Sequence, residues 1–213
     1  MKSAVRTAPA RVLVADPPWA FDDALPGPKR GAVKHYRTLN LQSIKDFPLL
    51  RLADDAVLIM WRVASMVEEA YEVVRAWGFM PKSELVWVKK TVTGKPFFGM
   101  GRIVRGSHET AIVATRGKYK PKSHSIRTVF EAPIGKHSKK PDEFYELVEQ
   151  LSDGPYAELF ARRPRPGWVM LRRRTSRWLR RARVALKSST RTSHTPKMWS
   201  PAAQKARPGR RTT

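Results

Sequence analysis

Short apolar runs alternate with helical patterns along residues 11–160, and this alternation constrains the fold more than any other feature of the chain. The runs have the length of buried strands and cover residues 11–15, 56–61, 85–88, 108–115 and 156–160. Strands that alternate with helices are typical of a parallel sheet, because each parallel connection needs a crossover. The sequence therefore predicts an α/β fold with a mostly parallel sheet and helices on both faces.

Two of the intervening segments have the spacing of amphipathic helices. In the first, Ser65 and Glu68 form a capping-box pattern, and apolar residues follow at helical spacing up to residue 78. In the second, Pro141 is expected as the first helical residue, with acidic residues in the first turn and a stop at residues 154–155. A weaker helix is predicted over residues 41–50.

The carboxyl ends of the strands are where a ligand is expected to bind. Asp16 lies at one such end, and the loops after Val88 and Phe160 leave the predicted sheet on the same side. Long loops in compact domains are usually functional or disordered. We expect the specificity for a substrate to lie in loops 20–38, 89–107 and 117–138.

The formal net charge of +24 is unevenly distributed along the 213 residues. No acidic residue follows Glu158, whereas Lys and Arg continue to the end of the chain. A field of this sign attracts polyanions and points to nucleic acid as the partner. A merely solubilising surface explains the charge as well, and the charge indicates no chemistry.

Several classes of site are excluded or disfavoured by composition. The chain has no Cys, which excludes disulfides and thiolate metal sites, and its five His residues lack ligand spacing, so no metal is expected. The longest apolar run, residues 56–61, is too short to cross a bilayer. We therefore expect a cytoplasmic protein without a membrane partner; the sequence does not predict its oligomeric state.

The tetrapeptide Asp16-Pro17-Pro18-Trp19 combines hydrogen-bond acceptors with a stiff backbone. The Asp16 carboxylate and the free carbonyl of Pro17 can accept the two hydrogens of an amine such as the 6-amino group of adenine. Two fixed acceptors favour the pyramidal geometry that this amine needs as a nucleophile. Trp19 offers a face for stacking an extruded base. An ordinary strand-ending turn, with Trp19 in the core, explains the same four residues.

Eight ordered motifs between Val12 and about Trp168 resemble the DPPW-motif family of adenine-N6 methyltransferases, most closely its bacterial and phage members. This family includes the catalytic subunit of the messenger-RNA adenosine methyltransferase. The motifs are Val-Leu-Val-Ala-Asp-Pro-Pro-Trp (12–19), Leu-Ile-Met-Trp (58–61), Ala-Trp-Gly-Phe (76–79), Glu-Leu-Val-Trp-Val-Lys (84–89), Gly-Met-Gly-Arg (99–102), His-Glu (108–109), Lys-Pro-Asp-Glu (140–143) and Glu-Leu-Phe-Ala-Arg (158–162).

The resemblance implies a Rossmann-like, S-adenosylmethionine-dependent methyltransferase in permuted motif order, with the catalytic tetrapeptide early and the cofactor strand late. Its activity would be methyl transfer to the exocyclic N6 amine of adenine in nucleic acid, with DNA preferred over RNA. The implied catalytic residues are Asp16, Pro17, Pro18 and Trp19. The implied cofactor-binding residues are Asp16, Lys140, Glu158, Phe160 and Arg162. The implied substrate-binding residues are Trp19, Lys89, Arg102, His108 and Glu109.

Some of these assignments have local alternatives. By the resemblance, Lys140 lies near the carboxylate of the cofactor and Arg162 near its ribose, although both fit an ordinary basic surface. Lys89 would lie beside the site. His108 and Glu109 suit structural bracing as well as a direct role.

After Trp168 the sequence departs from the family, which usually continues to a Gly-Asn pair that contacts the adenosine half of the cofactor. This chain contains no Gly-Asn pair and stays basic. We therefore predict a flexible N-terminus (1–10), a methyltransferase domain (11–168) and a largely disordered basic tail (169–213), with one possible helix over 172–186. The tail is either a nucleic-acid-binding arm or the product of a frameshift after Trp168. A compromised cofactor site would leave a non-catalytic nucleic-acid-binding protein on a methyltransferase fold.

Overall fold

A computed structural model describes residues 8–20, 38–99, 103–135 and 139–171. The strands in these ranges form one sheet in the order β5-β3-β4-β2-β1-β6-β7. Their bounds are β1 Ala10–Ala15, β2 Leu52–Arg62, β3 Met80–Lys90, β4 His108–Arg116, β5 Val129–Pro133, β6 Tyr156–Leu159 and β7 Trp168–Leu171.

The sheet is mostly parallel, and the exception is β4. Strand β1 pairs in parallel with β2 and with β6, β3 with β5, and β6 with β7. Strand β4 runs antiparallel to both of its neighbours, β2 and β3. The amino end of β4 therefore lies at the same edge of the sheet as the carboxyl ends of the other strands. We call this edge the site edge.

Helices cover both faces of the sheet, as the sequence predicted. The described helices are α1 Leu41–Lys45, α2 Val67–Ala76 and α3 Asp142–Leu151. Because side chains alternate along a strand, Leu13 packs on one face with α1 and α2, whereas Val12 packs on the other face with α3. The expected α/β, Rossmann-like arrangement is confirmed. None of the helices in the described ranges is both long and apolar enough to span a membrane.

The helix starts differ from the prediction. Helix α2 begins at Val67 after Met66, and no side chain caps its amino end, so the Ser65–Glu68 capping box does not form. Glu68 lies in the first turn, where its charge still favours the positive end of the helix dipole. Pro141 lies just before α3 rather than inside it. Helix α1 ends five residues earlier than predicted, at Lys45.

Two strands were missed in the sequence because their patterns are weak. Strand β5 lies inside the predicted loop 117–138 and is an edge strand with mostly exposed residues, so it lacks a continuous apolar run. Strand β7 lies beyond the last predicted strand and past the predicted boundary at Trp168. The Trp168 ring stacks on Tyr156 of β6, and its indole N–H donates to Glu149 of α3 at 2.8 Å. These contacts attach β7 to the sheet.

Candidate active site

Asp16, Lys140 and Arg162 come together at the site edge, as the sequence analysis expected. Asp16 follows β1, Lys140 precedes α3 by two residues, and Arg162 lies just beyond β6. Lys140 Nζ lies 3.4 Å from Asp16 Oδ1, and an Arg162 guanidinium nitrogen lies 3.5 Å from Asp16 Oδ2. Each of the two cations thus pairs with a different oxygen of the Asp16 carboxylate.

Lys140 is the centre of the charged cluster. Besides Asp16, its ammonium contacts Glu109 Oε2 at 2.8 Å and lies 4.6 Å from the centre of the Trp61 ring. Burial by itself would lower the pKa of Lys140, but the carboxylates of Asp16 and Glu109 outweigh it and raise that pKa above its usual value. Lys140 therefore carries a positive charge at neutral pH, and its cation–π contact adds to its fixation.

Glu109 bridges two lysines. Its carboxylate contacts Lys89 Nζ at 2.8 Å and Lys140 Nζ at 2.8 Å. Burial would raise the pKa of Glu109, but the charges of Lys140 and Lys89 prevail and lower it. Because neighbouring residues of a strand face opposite sides, His108 points away from the cluster, and it is exposed. Glu109 braces the site, whereas His108 does not join it.

Glu158, from β6, lies in a less favourable environment for a negative charge. It is 6% exposed, and it accepts a hydrogen bond from the Tyr145 hydroxyl at 3.1 Å. Burial is the largest cause that raises the pKa of Glu158 to about 7; the Tyr145 hydrogen bond lowers it, and the charge of Asp16 raises it further. Burial raises the pKa of Tyr145, and the negative charge of Glu158 raises it further. The pKa of Glu158 therefore lies near neutrality.

The free energy of unfolding should depend on pH because Glu158 titrates. Glu158 binds its proton more tightly in the folded protein than in the unfolded chain, where its pKa is 4.5. The protonated group therefore contributes its full stabilisation below pH 4.5, and this contribution is lost as the pH rises to about 7. We expect the loss to amount to about 3 kcal/mol. Chemical unfolding across this pH interval should show a shallower decline for Glu158→Gln, which keeps an acceptor for Tyr145. Glu146→Gln, an exposed change in helix α3, should retain the wild-type decline; equal slopes in both variants would contradict the assignment.

Phe160 turns the chain at the end of β6. Its φ of +64° lies in the left-handed region, which costs a non-glycine residue about 1–2 kcal/mol. Its ring lies 4.4 Å from that of Phe47 and is nearly buried. Strain of this kind persists where surrounding packing fixes it, and it is frequent at functional sites. The turn sends Arg162 back towards Asp16.

A cavity of about 460 Å³ opens beside Asp16. Its volume is in the range of small-molecule and cofactor sites. Cationic and anionic groups share its wall, so the cavity can hold a ligand that carries both charges and hydroxyl groups. Residues that line it include Asp16, Lys140, Tyr145, Glu158, Phe160, Arg162 and Arg165.

Tyr145 and Arg165 belong to this wall but were not singled out in the sequence. The Arg165 guanidinium lies 3.9 Å from the centre of the Tyr145 ring and contacts Asp142 at 2.8 Å. Tyr145 has the spacing of a core residue of α3, and Arg165 lies in a basic, proline-containing turn. Only their contact with each other at the cavity beside Glu158 sets them apart, and no local pattern reveals that contact.

Trp19 does not lie where base stacking would require. Its side chain is 4% exposed and packs in the core, and its indole N–H donates to the Trp61 carbonyl at 3.1 Å. The expected stacking face is therefore covered in this structure. The core position that the sequence analysis kept as the alternative is the one observed.

The carbonyl groups of the two prolines are also engaged. Pro17 O accepts the N–H of Trp19 at 2.9 Å, and Pro18 O accepts the N–H of Leu39 at 2.8 Å. The sequence analysis expected a free Pro17 carbonyl, and this expectation was wrong. A carbonyl oxygen has a second lone pair, however, and can accept one more hydrogen bond. These bonds fix the loop that carries Asp16. Among the predicted substrate residues, Lys89 lies in the cluster, and Arg102 lies outside the described residues.

Comparison with known proteins gives this site a family context. Residues 10–173 match the sequence profile of the family described as MT-A70. The chain belongs to the MT-A70 family. The human N(6)-adenosine-methyltransferase catalytic subunit METTL3 is 29% identical over 170 residues, which cover 75% of this chain and 27% of the relative. The mouse N(6)-adenine-specific methyltransferase METTL4 is 29% identical over 181 residues, which cover 74% of this chain and 36% of the relative.

The MT-A70 match extends over the whole described site, from β1 to β7. A fruit-fly relative, the N(6)-adenosine-methyltransferase MT-A70-like protein, is 28% identical over 170 residues, and these cover 26% of its length. The chain thus spans between a quarter and about a third of the length of these curated relatives. The resemblance noted in the sequence is confirmed as family membership.

Proposed function

We propose that this chain transfers a methyl group from S-adenosylmethionine to the exocyclic N6 amine of adenine in nucleic acid. The observation that carries the proposal is the Asp16 carboxylate, held between Lys140 and Arg162 beside a cavity of cofactor size. The MT-A70 relatives named as N(6)-adenosine and N(6)-adenine-specific methyltransferases support the same chemistry.

The residues of the cavity fit S-adenosylmethionine by charge and hydrogen bonding. The ammonium of Lys140 suits its carboxylate, and the Arg162 guanidinium and the Glu158 carboxylate suit the hydroxyl groups of its ribose. Asp16 offers a counter-charge to its amino group. When bound, the cofactor supplies a methyl group already activated by the sulfonium.

The chain itself has to position the amine and keep water away. Asp16 accepts one hydrogen of the target amine, and the second lone pair of Pro17 O accepts the other, which favours the pyramidal nitrogen over the planar ground state. The ion pairs of Asp16 and the hydrogen bonds of the proline carbonyls fix these acceptors before the substrate arrives. Alignment of this kind supplies much of the acceleration in displacement reactions.

Within nucleic acids, we propose DNA as the preferred substrate. The formal charge of +24 suits a dense polyanion, and duplex DNA carries more charge per unit length than a single strand. RNA remains the competing outcome of the test.

A side-by-side assay tests the proposal. Purified protein, a labelled methyl donor, and DNA and RNA of the same sequence are incubated together, and incorporated label is counted. We expect label in DNA above that in RNA. More label in RNA would overturn the DNA preference alone. If neither DNA nor RNA were labelled and calorimetric titration with the cofactor gave no heat, the proposed methyltransferase activity would be wrong. The alternative, a non-catalytic nucleic-acid-binding protein, would then be favoured.

A further inference from the structure

The connection between β3 and β4 carries an unusual concentration of exposed apolar side chains. We call its described residues, 91–99 and 103–107, the β3–β4 projection. Val92 is 85% exposed, Phe98 76%, Ile103 98% and Val104 77%. These four make up half of the large hydrophobic residues that are exposed in the described parts of the chain. Apolar side chains so placed usually mark a binding surface.

The base of the projection is joined to the charged cluster of the candidate active site. Phe97 N–H donates to the Lys89 carbonyl at 3.1 Å, and Lys89 N–H donates to the Ser107 carbonyl at 2.9 Å. The Lys89 side chain pairs with Glu109, which pairs with Lys140, which pairs with Asp16. A short series of ion pairs thus connects the projection to the carboxylate proposed to hold the amine.

The two arms of the projection lie against each other. Gly99 is buried, and a Cβ atom at this position would collide with the Gly106 carbonyl, so only glycine allows the close approach. The Arg105 guanidinium lies 5.3 Å from the centre of the Phe98 ring, which joins the arms on their outer side. Phe98 on one arm therefore lies close to Arg105 on the other, and the exposed residues Ile103 and Val104 directly precede Arg105.

The charge of the projection indicates what it binds. No acidic residue occurs between Lys90 and Glu109, and Lys95 and Arg105 flank the apolar side chains. Cations suit phosphates, and large apolar side chains suit the faces of unstacked bases or the gap between base steps. A nucleic-acid strand with a displaced base offers both kinds of partner side by side: phosphates for the cations and a base face for the apolar side chains.

We propose that the β3–β4 projection contacts nucleic-acid bases, with Phe98, Ile103 and Val104 packing against bases next to the one that enters the active site. This inference rests on the proposed function for its choice of substrate. The projection then holds the strand open while Lys95 and Arg105 engage the neighbouring phosphates.

Binding measured without cofactor tests this inference separately from catalysis. Fluorescence anisotropy gives the Kd for labelled duplex DNA, single-stranded DNA and single-stranded RNA of one mixed sequence, across a series of salt concentrations. We expect the triple variant Phe98→Ser/Ile103→Ser/Val104→Ser to bind at least one of these nucleic acids about tenfold more weakly. The slope of log Kd against log salt should stay unchanged, because apolar contacts release no counterions. Lys95→Ser should instead reduce that slope by about one.

A matched control carries the same type of change elsewhere. The variant Met80→Ser/Val129→Ser removes two exposed apolar side chains at the amino ends of β3 and β5, whereas the projection follows the carboxyl end of β3. It should bind like the wild type. Wild-type affinity of the triple variant for all three nucleic acids, or no binding by the wild type, would overturn the inference. The inference would also be overturned if sedimentation showed that the wild type is an oligomer and that the three substitutions weaken binding only by dissociating it. Absent methyl transfer, by contrast, would remove the proposed function and leave a positive binding result standing.

Discussion

Asp16→Asn should reduce methyl transfer by at least about a thousandfold while the protein stays folded. The variant keeps the size of the side chain but loses the negative charge that Lys140 and Arg162 hold in place. It also replaces one acceptor oxygen by an NH2 group, which donates and would repel the amine hydrogen that Asp16 is proposed to accept. Transfer rates with labelled donor, at saturating nucleic acid, measure this effect.

The matched control for Asp16 is Asp153→Asn. Asp153 also pairs with a lysine, Lys122, at 2.8 Å, but its side chain is 69% exposed and lies outside the candidate site. This variant should transfer methyl groups like the wild type, since an exposed ion pair contributes little. Loss of less than tenfold in Asp16→Asn, with both variants folded by circular dichroism, would remove Asp16 from its proposed role.

Lys140→Met should have the second largest effect and should act on both binding and stability. The change leaves Asp16 with Arg162 alone and Glu109 with Lys89 alone, in a part of the site where Lys140 is only 12% exposed. Removal of one partner from a buried ion pair typically costs about 3–5 kcal/mol. We expect a loss of about 3 kcal/mol in the free energy of unfolding and at least about a hundredfold weaker cofactor binding.

A spectroscopic measurement separates this effect from general destabilisation. Lys140 is the largest cause that lowers the pKa of Glu109, so this pKa should rise in Lys140→Met, as followed by NMR of the carboxyl carbon. The control Lys122→Met removes an exposed lysine from an ion pair and should leave the free energy of unfolding close to that of the wild type. An unchanged Glu109 pKa, or cofactor binding equal to that of the wild type, would contradict the central position of Lys140.

The ion-paired centre of the site could be predicted because its members lie at positions that topology brings together. Asp16 follows an apolar run, Arg162 follows another, and Lys140 precedes a well-marked helix, so a parallel sheet places all three at one edge. The resemblance to a known family then named their roles. Glu109 reached the same edge for a reason that the sequence does not show, namely that β4 runs antiparallel to its neighbours.

Other parts of the site depend on packing that has no local signal. Trp19 has the composition of a stacking residue, yet its indole N–H finds a carbonyl of β2 and its ring fills the core. Tyr145 and Arg165 look like a core residue and a surface residue, and only their contact beside Glu158 gives them a place in the cavity. Such roles are set by tertiary contacts rather than by spacing along the chain.

The end of the folded domain was placed too early for a related reason. Arg-rich sequence after Trp168 suggested that the fold stops there, but Trp168–Leu171 pairs in register with Tyr156–Leu159. A short edge strand needs only one neighbour, so its pattern is weak. The match to the MT-A70 profile likewise extends to residue 173, past the end of β7. The predicted helix over 172–186 and the predicted tail lie outside the described residues.

Identification of the product nucleoside by mass spectrometry is the decisive test of methyl transfer to the N6 amine of adenine through Asp16. DNA and RNA treated with wild-type protein and S-adenosylmethionine are digested to nucleosides, with Asp16→Asn as the reference. Wild-type protein should yield N6-methyladenine, and the variant should yield none above background. A methylated cytosine, an adenine methylated at a ring nitrogen, or equal N6-methyladenine from both proteins would contradict this prediction.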